Sequence, residues 1–104
     1  MAQEVGHQEV KAAVAEGRVI DVRENWEYED GHVPGAVNIP LGQLPDSLKQ
    51  LPRDGVVTVI CQSGGRSMRA ADFLLANGID AVSVAGGTGS WIAAGEAVRQ
   101  GSRP

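Results

Sequence analysis

Thiol is nearly absent from this chain: Cys61 is the one cysteine among 104 residues. That scarcity excludes an internal disulfide and a zinc site built on several thiolates, and it suits a reducing compartment. An excess of basic residues is missing as well. The formal net charge is −4 and no basic patch is visible, which argues against general affinity for nucleic acid or an anionic membrane, since either needs a basic surface. Long apolar runs are also lacking. None approaches the roughly 20 residues of a membrane span, and the start, Met1-Ala2-Gln3-Glu4-Val5, has neither the charged n-region nor the apolar h-region of a signal peptide. A cytoplasmic protein is therefore the expectation. The length is short for two cores, so residues 1–104 are read as one domain with 101–104 as a loose tail.

What is present, 42% hydrophobic and 21% charged residues, is an ordinary globular balance. Gln3 to Val5 reads as an edge strand and His7 to Glu16 as a helix with Val10, Ala13 and Val14 on one face and Gly17 as its stop. Val19 to Val22 is a second strand. A loop containing Gly31, Pro34 and Gly35 leads to a brief strand over Ala36 to Ile39, and Leu44 to Leu51 forms a short helix. Val56 to Ile60 is the central strand, Arg66 to Asn77 a helix and Ala81 to Val84 a fifth strand, after which Gly86-Gly87 turns into a helix with Trp91 and Ile92. Strands alternating with helices predict an α/β fold with a largely parallel five-stranded sheet covered on both faces. In such sheets the ligand site lies beyond the carboxyl ends of the strands.

Cys61 stands at such an end. A free cysteine is ordinarily a small buried hydrophobe, but here a β-branched strand runs into Gln62-Ser63-Gly64-Gly65-Arg66-Ser67 and then into a helix. The helix start and the glycine turn supply free N–H groups facing the thiol, and with the helix dipole they favour the thiolate. Gly64 and Gly65 are read as open positions where a Cβ would crowd the turn. Arg66 has two readings: a bidentate partner for an anionic substrate, or a structural arginine tied to a carboxylate such as Asp21.

Four ordered pieces resemble the single-domain rhodaneses: Asp21-Val22-Arg23-Glu24 with Glu27-Tyr28, Gly31 to Pro40, Cys61 to Ser67, and Gly86-Gly87 with Trp91. The resemblance covers nearly the whole chain and implies a rhodanese-like three-layer fold. It implies a sulfurtransferase that takes a sulfane sulfur from a donor such as thiosulfate, carries it as a Cys61 persulfide and passes it to cyanide, thioredoxin or another thiol. No cofactor or metal is implied. A persulfide ends in one small sulfur, which the amides of Gln62, Ser63, Gly64, Gly65, Arg66 and Ser67 can ring. Asp21 and Arg23 support the loop by resemblance. A sulfur-relay carrier and a regulatory binding module for a protein partner are the alternatives.

Cysteine-dependent phosphatases of similar architecture place five residues between cysteine and arginine, whereas only Gln62 to Gly65 intervene here. The shorter loop suits a lone sulfur better than a phosphoryl group. The chain departs from the thiosulfate-using type in having Gln62, Ser63 and Glu27 where those members carry basic residues. Glu27 is thus expected to repel a dianionic donor at the pocket mouth. His32 is expected to be a structural hydrogen-bonding residue, His7 exposed, and Trp26 and Trp91 packing residues.

Overall fold

Parallel strands cannot be joined by a tight turn, so each β-branched run here is followed by a crossover. The computed structural model describes residues 1–104. Its strands are β1 (Gln3–Val5), β2 (Val19–Asp21), β3 (Val37–Asn38), β4 (Val57–Ile60) and β5 (Ala81–Val84). Its helices are α1 (His7–Ala15), α2 (Asn25–Asp30), α3 (Gly65–Ala76) and α4 (Gly87–Ala93), with a 3-10 segment over Leu41–Gln50. The sheet order is β1-β5-β4-β2-β3 and every neighbouring pair is parallel. This is the expected α/β architecture, with β4 central and β1 at an edge.

The two-residue period of a strand sorts its side chains into two cores. Val57, Val59 and Cys61 face Ala70, Ala71 and Leu74 of α3 and Leu44 of the 3-10 segment. Val19, Ile60 and Val84 face the other way, toward Val10 and Ala13 of α1, Tyr28 and Trp91. In α3 the buried residues Ser67, Ala70, Ala71 and Leu74 form one stripe, and two alanines at its centre let the helix lie close over β4 and β5.

Several elements differ from the sequence reading. Asn25–Asp30, read as loop, is helical: it is one and a half turns long with Tyr28 alone buried, so it carries no apolar period to detect. Trp26 is 72% exposed rather than packed, because it lies roughly 200° around the helix from the inward Tyr28. Its neighbour Tyr28 donates its hydroxyl proton to Ala36 O, and burial with the nearby Asp21 charge pushes its pKa up to about 12. The helix expected over Leu44 to Leu51 starts at Leu41 and is 3-10, with Pro45 inside it; proline has no N–H for an α-helical bond. His7 is half-buried, edge-on to Trp91 at 6.4 Å between ring centroids. Trp91 is buried as expected and donates Nε1–H to Ala97 O at 2.7 Å. His32 is structural: it stacks on Tyr28, and its two ring nitrogens lie 2.7 and 2.8 Å from Tyr28 O and Arg103 O. Residues 101–104 are exposed, yet Gly101 N–H reaches Glu29 O at 2.9 Å and Arg103 is held by His32.

Where α4 begins, two pieces of backbone meet. Gly87 has φ +56°, and a Cβ on it would stand 2.4 Å from Cys61 O and 2.7 Å from Gln62 C. Gly65, at the first position of α3, has open space around it and no positive φ. Gly87→Ala should therefore destabilise the fold by about 2–3 kcal/mol through strain and backbone clash. Gly65→Ala should be neutral or stabilise by up to about 1 kcal/mol. Urea unfolding midpoints compare the two, and equal midpoints would contradict this account of the α4 contact.

Candidate active site

β4 ends at Ile60 and delivers Cys61, 1% exposed, to the carboxyl edge of the sheet. The chain reverses at Gly64, where φ is +114°. A Cβ there would make only ordinary contacts, with Gly86 N at 3.6 Å and Val84 O at 3.7 Å, so the left-handed backbone, rather than crowding, requires glycine. Crowding is not the reason at Gly65 either, since nothing lies near its Cβ position. The reversal turns amides inward: Gly64 N–H and Ser67 N–H point at Cys61 Sγ with N···S distances of 3.1 and 3.3 Å. Ser67 Oγ is also 3.3 Å from the sulfur.

Carbonyls of the same loop are pulled elsewhere. Cys61 O accepts from Thr88 N–H at 2.8 Å and Gln62 O from Gly89 N–H at 3.0 Å, so the start of α4 ties up both acceptors while the donors remain for the sulfur. Burial pushes the Cys61 thiol up, but the Ser67 hydroxyl and the N–H groups of Ser67, Gly64 and Ser63 outweigh it and hold the pKa below its ordinary value. The site thus favours a thiolate without a general base.

Two ion pairs flank the loop. Asp21 and Arg23 are buried, and the carboxylate accepts from Arg23 N–H, Nε and Nη2 at 3.0 to 3.3 Å. The guanidinium also donates to Gly31 O at 2.8 Å and Gln62 Oε1 at 3.1 Å, so the buried charge is both paired and hydrogen-bonded. Arg23 therefore tethers the loop to β2 through the Gln62 side chain. Arg66 is bound to Glu27, not Asp21, in a bidentate pair at 2.7 and 2.9 Å. The Arg66 hydrogen bonds hold the Glu27 carboxyl well below its ordinary range, at about 2. Glu27 is consequently not a free carboxylate at the mouth, and Arg66 is not a free cation.

The structure brings Cys61, Gly64 and Ser67 together, with Asp21, Arg23 and Gln62 behind them and Arg66 with Glu27 beside them. Gln62 and Ser63 are exposed. Cys61 is 1% exposed, and the three surface cavities, of about 310, 500 and 340 Å³, are lined by residues outside the Cys61–Ser67 loop. No group of three or more His, Cys, Asp or Glu side chains is arranged to hold a metal ion. Sequence reading missed Ser83, whose hydroxyl meets Ser67 at 2.7 Å, and the amides of Thr88 and Gly89. Their only signal was the Gly86-Gly87 turn.

Comparison with known proteins agrees with this geometry. The rhodanese-like domain family matches residues 6–94. The chain is 40% identical over 73 residues to Putative sulfurtransferase YtwF of Bacillus subtilis (strain 168), covering 70% of this chain and 71% of that protein. It is 39% identical over 74 residues to Putative sulfur carrier protein YrkF of the same organism, covering 70% of this chain and 40% of that longer protein. A rhodanese-related protein from Thermoplasma volcanium has a crystal structure that superposes with a TM-score of 0.85 at 35% identity, over 93% of this chain and 97% of that one. With its cysteine at the end of a central parallel strand and two loop amides on its sulfur, the chain belongs to the rhodanese-like domain family.

Proposed function

We propose that this protein is a sulfurtransferase that carries sulfane sulfur as a persulfide on Cys61. The observation that carries the reading is the pair of backbone N–H groups, from Gly64 and Ser67, on a buried sulfur. In the loading step the Cys61 thiolate attacks the outer sulfur of the donor. With thiosulfate, the donor S–S bond breaks, sulfite leaves with the electron pair, and the transferred sulfur remains as Cys61 Sγ–S⁻. In the delivery step an acceptor thiolate bonds the outer sulfur, the Sγ–S bond breaks, and the electron pair returns to Sγ. Backbone donors suit both steps because they stabilise an anion on either sulfur without taking up a proton. Substrate contacts are assigned to the exposed rim formed by Gln62, Ser63, Gly65 and Arg66, with cyanide or a thiol, including a protein thiol of the thioredoxin kind, as acceptor. No helix is long and apolar enough to cross a membrane, and the single thiol accords with work in a reducing cytoplasm.

A sulfur-carrier role is favoured by one further observation. Arg66 is already occupied by Glu27, so the rim offers a neutral pair instead of a free guanidinium for a sulfonate. A donor that presents a persulfide needs no such cation, and thiosulfate is then a laboratory substrate.

Incubation with thiosulfate should add the mass of one sulfur atom to the protein, and cyanide or a reducing thiol should remove it. Cys61→Ser should lose both steps, since the hydroxyl is scarcely ionised at neutral pH and forms no persulfide; undiminished transfer by that variant would refute the mechanism. Iodoacetamide alkylation should follow a pH midpoint below the ~8.5 of a free cysteine. Its rate should fall as pH drops through that midpoint, because protonation removes the thiolate. Glu27→Gln should release Arg66 and lower KM for thiosulfate about two- to fivefold, a gain that shrinks at high salt. A KM that rises in this variant would mean that the carboxylate orders the rim instead of neutralising it.

A further inference from the structure

Ser83 lies on β5, fully buried, and its hydroxyl has one partner, Ser67 Oγ at 2.7 Å. Ser67 Oγ in turn stands 3.1 Å from Gly64 O and 3.3 Å from Cys61 Sγ. A hydroxyl has one proton to give and two lone pairs, so the directions can be assigned by elimination. Gly64 O can only accept. If Ser67 donated to Ser83, the Ser83 proton would have no acceptor in a site without solvent, and the sulfur would lose its hydroxyl donor. Burying an unpaired O–H is costly. Ser83 therefore donates to Ser67, and the Ser67 proton is divided between Gly64 O and the sulfur.

We propose that Ser83 is a positioning residue of the sulfur site, donating to Ser67 Oγ so that the Ser67 proton is kept for Cys61 Sγ whenever that sulfur is negatively charged. The chain O–H···O–H···S⁻ polarises along its length, which strengthens the last bond. In the loaded state the inner sulfur is bonded to the outer one and carries no formal charge, so the Ser67 proton turns to Gly64 O. When an acceptor thiolate takes the outer sulfur, the Sγ–S bond breaks and its electron pair returns to Sγ. The Ser67 proton then swings onto it, which makes Cys61 a better leaving group. The delivery step rests on the persulfide reading above, whereas the effect on the free thiol does not.

The charged groups flanking the sulfur are Arg66 with Glu27 and Asp21 with Arg23, each paired internally. β4, β5 and α4 contribute no titratable side chain within Val57–Ile60, Ala81–Val84 or Gly87–Ala93. A shift in Cys61 acidity on changing Ser83 thus has few other sources. Ser83→Ala should raise the iodoacetamide midpoint by about half a pH unit, near the size expected when cooperative strengthening of one bond is lost. The same substitution in a Ser67→Ala background should have no effect. Ser83→Thr, which keeps the hydroxyl, should restore the midpoint. Should threonine lower the urea midpoint, the comparison in the Ser67→Ala background decides alone. In single-turnover assays below the midpoint, Ser83→Ala should slow delivery from the loaded protein about threefold and slow loading in step with its smaller thiolate fraction. An unchanged midpoint in Ser83→Ala, or an equal shift in the Ser67→Ala background, would overturn the proposal. A midpoint that shifts as expected in a protein that never gains a sulfur atom would keep Ser83 as positioning residue and refute the transfer reading.

Discussion

Everything at this site turns on a contest over one buried atom. Withdrawing the Cys61 sulfur from water opposes its ionisation, and only donors fixed by the fold can reverse that. Each donor has a separate structural cause. Gly64 adopts a left-handed turn, α3 starts with unsatisfied amides, and Ser67 sits in the first turn of the helix on its buried face. The sulfur is acidic because three local conformations coincide, and no side-chain base is needed. A solvated thiol would gain the same charge only by waiting for higher pH.

Charge around this centre is arranged to cancel. Asp21 with Arg23 and Glu27 with Arg66 are each closed pairs, so the potential felt by the sulfur comes mainly from dipoles. The two pairs do different work. The buried Asp21–Arg23 unit fixes the base of the loop through Gln62, where a lone charge would be severely destabilising. The Glu27–Arg66 pair lies partly in solvent, with side chains 15% and 31% exposed, so it sets the character of the rim at a smaller energetic stake.

Strands were legible in the sequence because two-sided burial demands continuous β-branched runs, as in Val56 to Ile60, and α3 because its alanines and leucines repeat at helical spacing. The sulfur loop could be read for the same local reason: strand, glycine and helix follow each other directly. What escaped was non-local or too short. α2 buries one residue and so leaves no period. Pro45 turned a helix-like pattern into a 3-10 segment. One of the two readings of Arg66 ties it to a strand-end carboxylate such as Asp21, whereas α2, invisible in the sequence, supplies Glu27. Ser83 looks in sequence like any polar residue within a strand, and its facing Ser67 depends on the register of α3 over β5.

The clamp of Thr88 and Gly89 on the carbonyls of Cys61 and Gln62 ties the loop to the last helix of the chain. Parallel pairings and crossover contacts join distant segments, so they are assembled late as a chain folds. Until the loop is folded, Cys61 lacks the Gly64 and Ser67 donors that hold its pKa down. Nucleophilic power is then a property acquired with the native state: a nascent or transiently opened chain carries little thiolate, and oxidants that prefer thiolate fall chiefly on molecules that have finished folding.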